Sequence, residues 1–173
     1  MGVEDLRNRI RDIPDFPKPG ILFRDITPLL ADGPSFHQAI DSLAGRYRDQ
    51  HVDVVVGVEA RGFIMGAALA YALRAGNVLI RKRGKLPFKT HRTTYALEYG
   101  TDTLEIHQDA IRAGQRVLIA DDLLATGGTI SAAIELVEHL GGKIVEVAFL
   151  IELAALKGRD RLRGYPIFSL IQY

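Results

Sequence analysis

Residues 117–129 read V-L-I-A-D-D-L-L-A-T-G-G-T, and this stretch decides the fold. It begins as an apolar run, continues with the adjacent acids Asp121 and Asp122, and ends in a Thr-Gly-Gly-Thr turn before a helical pattern. A strand, a glycine-rich turn and a helix start predict a phosphate site, because free N–H groups at a helix N-terminus attract anions. Two carboxylates repel a phosphate, so we expect them to serve another part of the ligand.

The turn has the chemistry of a monophosphate site. Gly127 and Gly128 let the backbone approach a phosphate closely, and Thr126 and Thr129 add hydroxyl donors. The turn holds no lysine and lacks the spacing of dinucleotide-binding glycines, which argues against a triphosphate or dinucleotide loop. Ionised aspartates only accept hydrogen bonds, so the vicinal hydroxyls of a ribose suit them, with a hydrated Mg²⁺ as the alternative. We therefore predict a ribose 5-phosphate site, against the alternative of a tight turn with a solvated acidic pair.

Composition places the chain in a broad class. Its 173 residues predict one domain, residues 1–173, and the apolar share of 47% is enough for a sizeable core. The formal charge of +1 gives no reason to expect nucleic acid or a membrane as a partner. No cysteine is present, the N-terminus is charged, and no apolar run has the length of a membrane span. We expect a cytoplasmic protein.

Apolar runs alternate with helical patterns along the chain. Such alternation predicts an α/β fold with a mostly parallel central sheet flanked by helices. Ser35 and Gln38 fit a capping box at the start of one helix. The predicted strands cover residues 52–58, 77–80, 115–120, 143–151 and 166–171, and the predicted helices cover 3–12, 63–74 and stretches that begin near residues 35 and 130.

Two further loops leave the same edge of the predicted sheet. In Glu59-Ala60-Arg61-Gly62 an arginine follows a buried strand, where it could bind a second anion or remain a solvated surface side chain. Residues 81–92 hold six lysines or arginines and no acid, which indicates an anion-gripping loop, a solvated loop or a non-specific nucleic-acid patch. Residues 94–99 and 102–107 predict a β-hairpin flap. Anion sites on both sides of a ribose site suggest a doubly phosphorylated ribose.

Several segments together resemble one family. The stretch 117–129 resembles the phosphoribosyl diphosphate (PRPP) signature of type I phosphoribosyltransferases, and nearly the whole chain is similar to their adenine-specific branch. The resemblance implies the type I phosphoribosyltransferase fold, an N-terminal hood over about 1–34, a flexible flap over about 82–105, and a homodimer. The segments that carry it are F-P-K-P-G-I-L-F-R-D-I-T-P, V-E-A-R-G-F-I-M-G, I-R-K-R-G-K-L-P, L-E-Y-G, the PRPP signature itself and F-S-L-I-Q-Y.

The resemblance implies an activity and assigns residues to it. The reaction is transfer of the 5-phosphoribosyl group from PRPP to adenine, which gives AMP and pyrophosphate with Mg²⁺ as cofactor. The metal would be held mainly by substrate and water, with Asp121 or Asp122 as its protein ligands. The assigned groups are Asp121 and Asp122 for the ribose hydroxyls; Ala125, Thr126, Gly127, Gly128 and Thr129 for the 5-phosphate; Glu59, Ala60, Arg61, Lys82, Lys85 and, from the neighbouring subunit, Arg81 for pyrophosphate. A cis peptide at Glu59–Ala60 is also implied.

The family pattern also assigns the adenine site. Phe23 would stack on the base, and the backbone of Leu22 and Arg24 would read its edge. Related hypoxanthine-guanine enzymes carry an acid in the phosphate loop, where this chain has Ala125. The resemblance therefore gives the acid-base role to Glu98, with Tyr99 closing the flap and Arg61 as the second catalytic residue.

One segment departs from the family pattern, and two alternative functions remain open. The segment 87–95, P-F-K-T-H-R-T-T-Y, is more basic than the family pattern, which leaves the pyrophosphate contacts of the flap open. A non-catalytic PRPP sensor of the same fold would need a DNA-binding segment, and none is visible. A same-fold enzyme for another base, such as xanthine or orotate, is disfavoured by Phe23 and Ala125.

Overall fold

A seven-stranded sheet forms the centre of the computed structural model, which describes residues 2–97 and 100–173. The elements in chain order are α1 (Val3–Arg7), β1 (Arg11–Ile13), β2 (Phe23–Asp25), α2 (Thr27–Ala31), α3 (Gly33–Gly45), β3 (Val54–Val58), α4 (Gly62–Leu73), β4 (Gly76–Lys82), β5 (Thr90–Ala96), β6 (Thr101–His107), β7 (Arg116–Leu124), α5 (Gly128–His139), β8 (Lys143–Glu152) and β9 (Ile167–Gln172), with 3₁₀ turns at Ala154–Leu156 and Gly158–Leu162.

The sheet is mostly parallel, as the sequence predicts. Its strand order is β5-β6-β4-β3-β7-β8-β9. The five strands from β4 to β9 in that order run parallel, whereas β6 pairs antiparallel with β4 and with β5. Because parallel strands end at a common edge, the loops after β3 and β7 meet there. The β5–β6 hairpin extends the sheet beside that edge, where the flap is expected.

Helices cover both faces of the sheet. On one face α3 and α4 bury Leu43 and Leu69 against β3, β7 and β8, and the N-terminal segment adds Leu6 and Leu29 to the same cluster. On the other face α5 buries residues such as Val137 against a second cluster, which also includes β6 of the hairpin. The central strand β3 is buried at all five positions, as a strand with helices on both sides requires.

Glycines allow α4 to lie unusually close to β3. A Cβ on Gly57 would stand 2.7 Å from the Gly62 carbonyl oxygen, and a Cβ on Gly66 would stand 3.0 Å from Gly57 Cα. Side chains at these positions would therefore meet backbone, which cannot move aside easily. The contact fixes the first turn of α4, and with it Arg61, against the end of β3.

Several element predictions need correction. The predicted helix over 3–12 ends at Arg7, and Arg11–Ile13 forms β1 because it pairs with β2, a strand within the segment predicted to be an irregular loop. The helix predicted to start at Ser35 starts at Gly33, because the Asp32 side chain accepts the hydrogen bond from the Ser35 N–H. Strand β7 runs four residues beyond its predicted end at Ala120, since it stays paired with β8 as far as Leu124.

Within the described ranges 2–97 and 100–173, the helices are all too short or too polar to cross a membrane.

Candidate active site

A cavity of about 310 Å³ lies where β3 and β7 end. Residues from both loops line it, so the sequence-predicted Glu59–Arg61 and Asp121–Thr129 segments meet at one cavity. Its lining consists of Glu59, Ala60, Arg61, Asp121, Asp122, Leu123, Leu124, Ala125, Thr126, Gly127, Gly128, Thr129 and Ile130. The size suits a small ligand rather than a macromolecule.

The anion-binding end of the cavity is the start of α5. Gly127 precedes the helix with φ of 83°, a left-handed conformation that glycine adopts without strain, and no side chain caps this end. The N–H groups of the first helical turn have no acceptor within the helix, so they can bind an anion. Thr126 is exposed and Thr129 half-buried beside them, so both hydroxyls can add hydrogen bonds.

Asp121 and Asp122 lie within β7, on the cavity wall. Asp121 Oδ1 accepts a hydrogen bond from the Asp122 N–H at 2.9 Å, and a Cβ on Gly62 would approach the same oxygen to 2.5 Å. Burial of this carboxylate, together with the negative charge of Asp122, raises the pKa of Asp121 well above the usual 3.8. The two acids therefore resist being ionised together, and a ligand that donates hydrogen bonds here would relieve that conflict.

Arg61 balances part of this charge. Its Nε donates to Asp122 Oδ2 at 2.5 Å, with Asp122 almost fully buried and the Arg61 side chain 45% exposed. Although burial acts in the opposite direction, the hydrogen bond to Asp122 and the charges around it raise the pKa of Arg61. The peptide between Glu59 and Ala60 is cis, as the family resemblance implies. The pair with Asp122 engages Nε, so the outer nitrogens of Arg61 remain available to an anion in the cavity.

The other predicted pyrophosphate residues lie around the cavity and not in its lining. Arg81 Nε donates to Glu59 Oε2 at 2.9 Å, so Glu59 is already paired with a cation of its own chain. Arg81 Nη1 also donates to the exposed Lys85 carbonyl at 3.3 Å. Lys82 forms an ion pair with Asp102 of the hairpin. For an anion to bind Lys82 directly, this ion pair would have to open.

Phe23 of the N-terminal hood contacts Arg61, which lines the cavity. The Arg61 guanidinium lies 5.5 Å from the centre of the Phe23 ring, and the Phe16 ring packs edge-on against Phe23 at 5.1 Å. Leu22 is 45% exposed next to this ring. The Arg24 side chain points away, to an ion pair with Asp12 and a stacking contact 3.8 Å above the Tyr173 ring. The Arg24 backbone, and not its side chain, is thus left as the candidate contact for a base.

Sequence analysis missed a second cavity that adjoins the phosphate loop. It measures about 430 Å³ and lies between the hairpin and the loop; its lining is Tyr95, Ala96, Leu97, Thr126, Gly128, Thr129 and Arg161. Tyr95 also contacts Thr129, with 3.4 Å between the two hydroxyl oxygens. Tyr95 and Arg161 stand 34 residues before and 32 after Thr129, so no local pattern marks them. The predicted catalytic Glu98 and flap residue Tyr99 lie outside the described residues.

The donor set at the cavity suits a weakly held divalent cation. Across the described ranges no three His, Cys, Asp or Glu side chains are grouped closely enough to hold a metal ion by themselves. The adjacent carboxylates of Asp121 and Asp122 nevertheless offer hard oxygen donors. Mg²⁺ keeps much of its water and binds through one or two carboxylates and substrate phosphates, so the residues present fit a substrate-carried Mg²⁺.

Comparison with known proteins gives one consistent result. Residues 29–171 match the model of the phosphoribosyl transferase domain. An adenine phosphoribosyltransferase of Syntrophotalea carbinolica is 64% identical over 171 residues, which are 99% of this chain and 100% of that protein.

Solved structures agree with this result. The crystal structure of adenine phosphoribosyltransferase from Thermoanaerobacter pseudethanolicus has a TM-score of 0.96 and 54% identity and covers 99% of both chains. The Saccharomyces cerevisiae enzyme, solved with an imino-altritol bisphosphate and adenine, has a TM-score of 0.92 and 42% identity and covers 97% of both chains.

The charge conflict at Asp121 leads to a prediction about stability. Asp121→Asn removes one of two adjacent acids and keeps an oxygen to accept from the Asp122 N–H. We expect the free energy of unfolding at pH 7 to rise by about 1 kcal/mol, as is common when a strained active-site group is relieved. Thermal unfolding of the ligand-free protein measures this. Asp122→Asn is the matched control, and it should destabilise, because it deprives Arg61 of its carboxylate.

The stability gained by Asp121→Asn should depend on pH. A raised pKa means that folded Asp121 keeps a proton that the unfolded chain releases, so the wild type loses stability as pH rises above 3.8 towards the raised pKa. The difference in stability between Asp121→Asn and wild type should therefore grow with pH over that window and then level off. The titration of groups remote from Asp121 is the same in both proteins and cancels in this difference. A variant less stable than wild type at pH 7, or a difference independent of pH, would contradict the assignment.

Proposed function

This chain belongs to the phosphoribosyltransferase family and to its adenine phosphoribosyltransferases, and we propose on that basis how its site performs the reaction. The protein transfers the 5-phosphoribosyl group of PRPP to adenine and forms AMP and pyrophosphate, a step of purine salvage. One observation carries the proposal: the uncapped start of α5 and the Asp121–Asp122 pair face the same small cavity.

The two ends of the cavity bind different parts of the ribose 5-phosphate. The first-turn N–H groups of α5 and the hydroxyls of Thr126 and Thr129 bind the 5-phosphate. Asp121 and Asp122 accept hydrogen bonds from the ribose hydroxyls, which supply the donors that two neighbouring carboxylates need. This arrangement fixes the position of the anomeric carbon relative to both ends of the site.

Arg61 stabilises the leaving group. As the bond from the anomeric carbon to pyrophosphate breaks, negative charge grows on the leaving oxygen and positive charge on the sugar. The Arg61 guanidinium is positioned by its bond to Asp122 and turns its exposed nitrogens towards the departing anion. Asp121 or Asp122, together with the substrate and water, would hold a bound Mg²⁺, which would supply positive charge opposite the departing pyrophosphate. Lys82 and Lys85 also bind the pyrophosphate, and Lys82 does so after its ion pair with Asp102 opens.

Adenine enters between the hood, residues 1–34, and the flap, residues 82–105. Phe23 stacks on the base and is held beside Arg61 by its ring contact, while the backbone of Leu22 and Arg24 reads the edge of the base. Adenine N9 attacks the anomeric carbon as its bond to pyrophosphate breaks, and the Glu98 carboxylate accepts the ring proton that the purine loses at N7, since Ala125 leaves the phosphate loop without an acid. Tyr99 closes the flap over the ligands.

A homodimer supplies Arg81 to the neighbouring site. The outer face of α4 carries Ile64 and Tyr71 seven residues apart, 39% and 89% exposed, and Leu79 on the adjacent β4 is 39% exposed. Large apolar side chains grouped in this way indicate a protein interface. Arg81 lies at the border of this face, 5.9 Å from the Phe63 ring, where a partner subunit would come within its reach.

A substrate panel tests the activity. Purified protein, PRPP, Mg²⁺ and one purine base are mixed, and release of pyrophosphate is measured. We expect turnover with adenine, none above background with hypoxanthine or xanthine, and loss of turnover when Mg²⁺ is chelated. No turnover with adenine, or equal turnover with hypoxanthine, would overturn the proposed function.

Fractionation of cells that express the chain tests the proposed cytoplasmic location.

Glu98→Gln tests the acid-base role. The variant keeps the size of the side chain and removes the ionisable group, so we expect kcat to fall by about 10²–10⁴-fold, the usual contribution of a positioned acid or base. The Kd for PRPP, measured by calorimetry, should stay within about twofold. Glu135→Gln, an exposed position on α5, serves as the control and should keep full kcat. Weakened PRPP binding at unchanged kcat would rule out the role given to Glu98.

Tyr71→Glu tests the proposed interface. A charge in the middle of an apolar contact is costly to bury, so we expect the variant to sediment as a monomer where the wild type sediments as a dimer. Leu156→Glu is the control, because Leu156 is likewise an exposed apolar side chain, at 48%, but belongs to the 3₁₀ turn Ala154–Leu156 and not to α4 or β4, and this variant should remain dimeric. A monomeric wild type, or a dimeric Tyr71→Glu, would refute this interface.

A further inference from the structure

The phosphate loop binds a dianion without any cation of its own. Residues 125–129 contain no lysine or arginine, and the nearby Arg61 is committed to Asp122 and the pyrophosphate end of the cavity. Loop N–H groups provide hydrogen bonds but only partial positive charge. We propose that Arg161, from the 3₁₀ turn Gly158–Leu162, is the cation that pairs with the 5-phosphate of PRPP and AMP. This inference rests on the proposed function and adds a binding residue to it.

The geometry places the Arg161 side chain on the loop itself. Its Nη1 lies 3.0 Å from the position that a Cβ would take on Gly128, and its Cβ lies 3.4 Å from the corresponding position on Gly127. The guanidinium therefore stands beside the first residues of α5, whose N–H groups face the anion. Arg161 also lines the 430 Å³ cavity together with Thr126 and Thr129, the two hydroxyl residues assigned to the phosphate.

The turn that carries Arg161 is held against the loop. A Cβ on Gly158 would come within 2.3 Å of the Ala125 carbonyl oxygen, so the two backbones are in direct contact. Leu162, at the other end of the turn, is 1% exposed and belongs to the core cluster beneath α5. Arg161 is thus presented by a segment fixed at both ends, which limits the entropy lost when its guanidinium binds an anion.

Charge pairing singles out Arg161 among its neighbours. Arg159 makes a two-pronged ion pair with Glu152, with both nitrogen–oxygen distances 2.7 Å. Arg163 pairs with Asp160 at 3.2 Å. Within residues 2–97 and 100–173, the structure shows no hydrogen bond or ion pair from the Arg161 guanidinium. A cation beside an anion site and without a carboxylate partner is available to the ligand.

A comparison of two ligands tests the pairing directly. AMP and adenosine differ only in the 5-phosphate, so a residue that contacts the phosphate should affect the binding of AMP and leave that of adenosine unchanged. Arg161→Met keeps the aliphatic stem that covers Gly127 and Gly128 and removes the charge. We expect calorimetry to show about tenfold weaker AMP binding for this variant, as suits one lost charge-assisted hydrogen bond. Adenosine binding should change less than twofold.

Two further variants separate charge from packing. Arg161→Lys keeps the charge but lacks the planar guanidinium. It should recover at least half of the change in log Kd for AMP that Arg161→Met causes. Arg163→Met, which removes an arginine of the same segment that is already paired with Asp160, should bind AMP as the wild type does. In steady-state kinetics, Arg161→Met should raise the KM for PRPP about tenfold and leave the KM for adenine within twofold.

The outcomes distinguish the inference from the proposed function. Equal weakening of AMP and adenosine, unchanged AMP binding, or no rescue by lysine would overturn the role of Arg161, since each indicates packing or no contact. Thermal unfolding of the ligand-free variants shows whether the fold is intact, and a destabilised Arg161→Met is replaced by Arg161→Gln in the same comparison. Failure of the wild type to bind AMP better than adenosine would instead contradict the proposed function.

Discussion

The close approach of α4 to the sheet is the constraint on which the site depends. Gly57 and Gly66 bring backbone to backbone, so a side chain at either position would displace α4 from β3. The same absence of a side chain at Gly62 makes room for the Asp121 carboxylate. As a result Arg61, at the start of α4, reaches Asp122 on the neighbouring strand with a 2.5 Å hydrogen bond. Bulkier residues would separate the two halves of the cavity.

Electrostatics then divides the site into distinct regions. In the proposed site, the acid pair on β7 repels phosphate from the middle of the cavity, the α5 N-terminus attracts it at one end, and Arg61 attracts it at the other. Burial, together with the negative charge of Asp122, raises the pKa of Asp121 and leaves this carboxyl group in need of hydrogen-bond donors. A ribose with phosphates at both ends satisfies all three regions together, whereas a simple anion satisfies one. The arrangement of charge therefore selects the ligand more strongly than the shape of the cavity does.

Local patterns explain how much the sequence could predict. The parallel sheet, the phosphate loop and Arg61 follow from residues adjacent in sequence, and the structure brings the two predicted loops to one cavity. Non-local pairing explains the errors. Residues 11–13 continue a helical pattern, yet they form β1 because they pair with β2, whose residues lie 10 to 14 positions further along the chain. The pairing of Lys82 with Asp102 and the position of Arg161 at the loop depend on tertiary contacts, which no spacing rule encodes.

Arg61 also connects the hood to the acid pair on β7. Its guanidinium is hydrogen-bonded to Asp122 on one side and lies over the Phe23 ring of the hood on another. Phe23 is held in turn by Phe16, so movement of the hood changes the surroundings of the cation that faces pyrophosphate. In the proposed reaction, a base stacked on Phe23 would restrain the hood and thereby the position of Arg61. Assembly of the base site and stabilisation of the leaving group would then depend on the same side chain, which would favour reaction only when both substrates are bound.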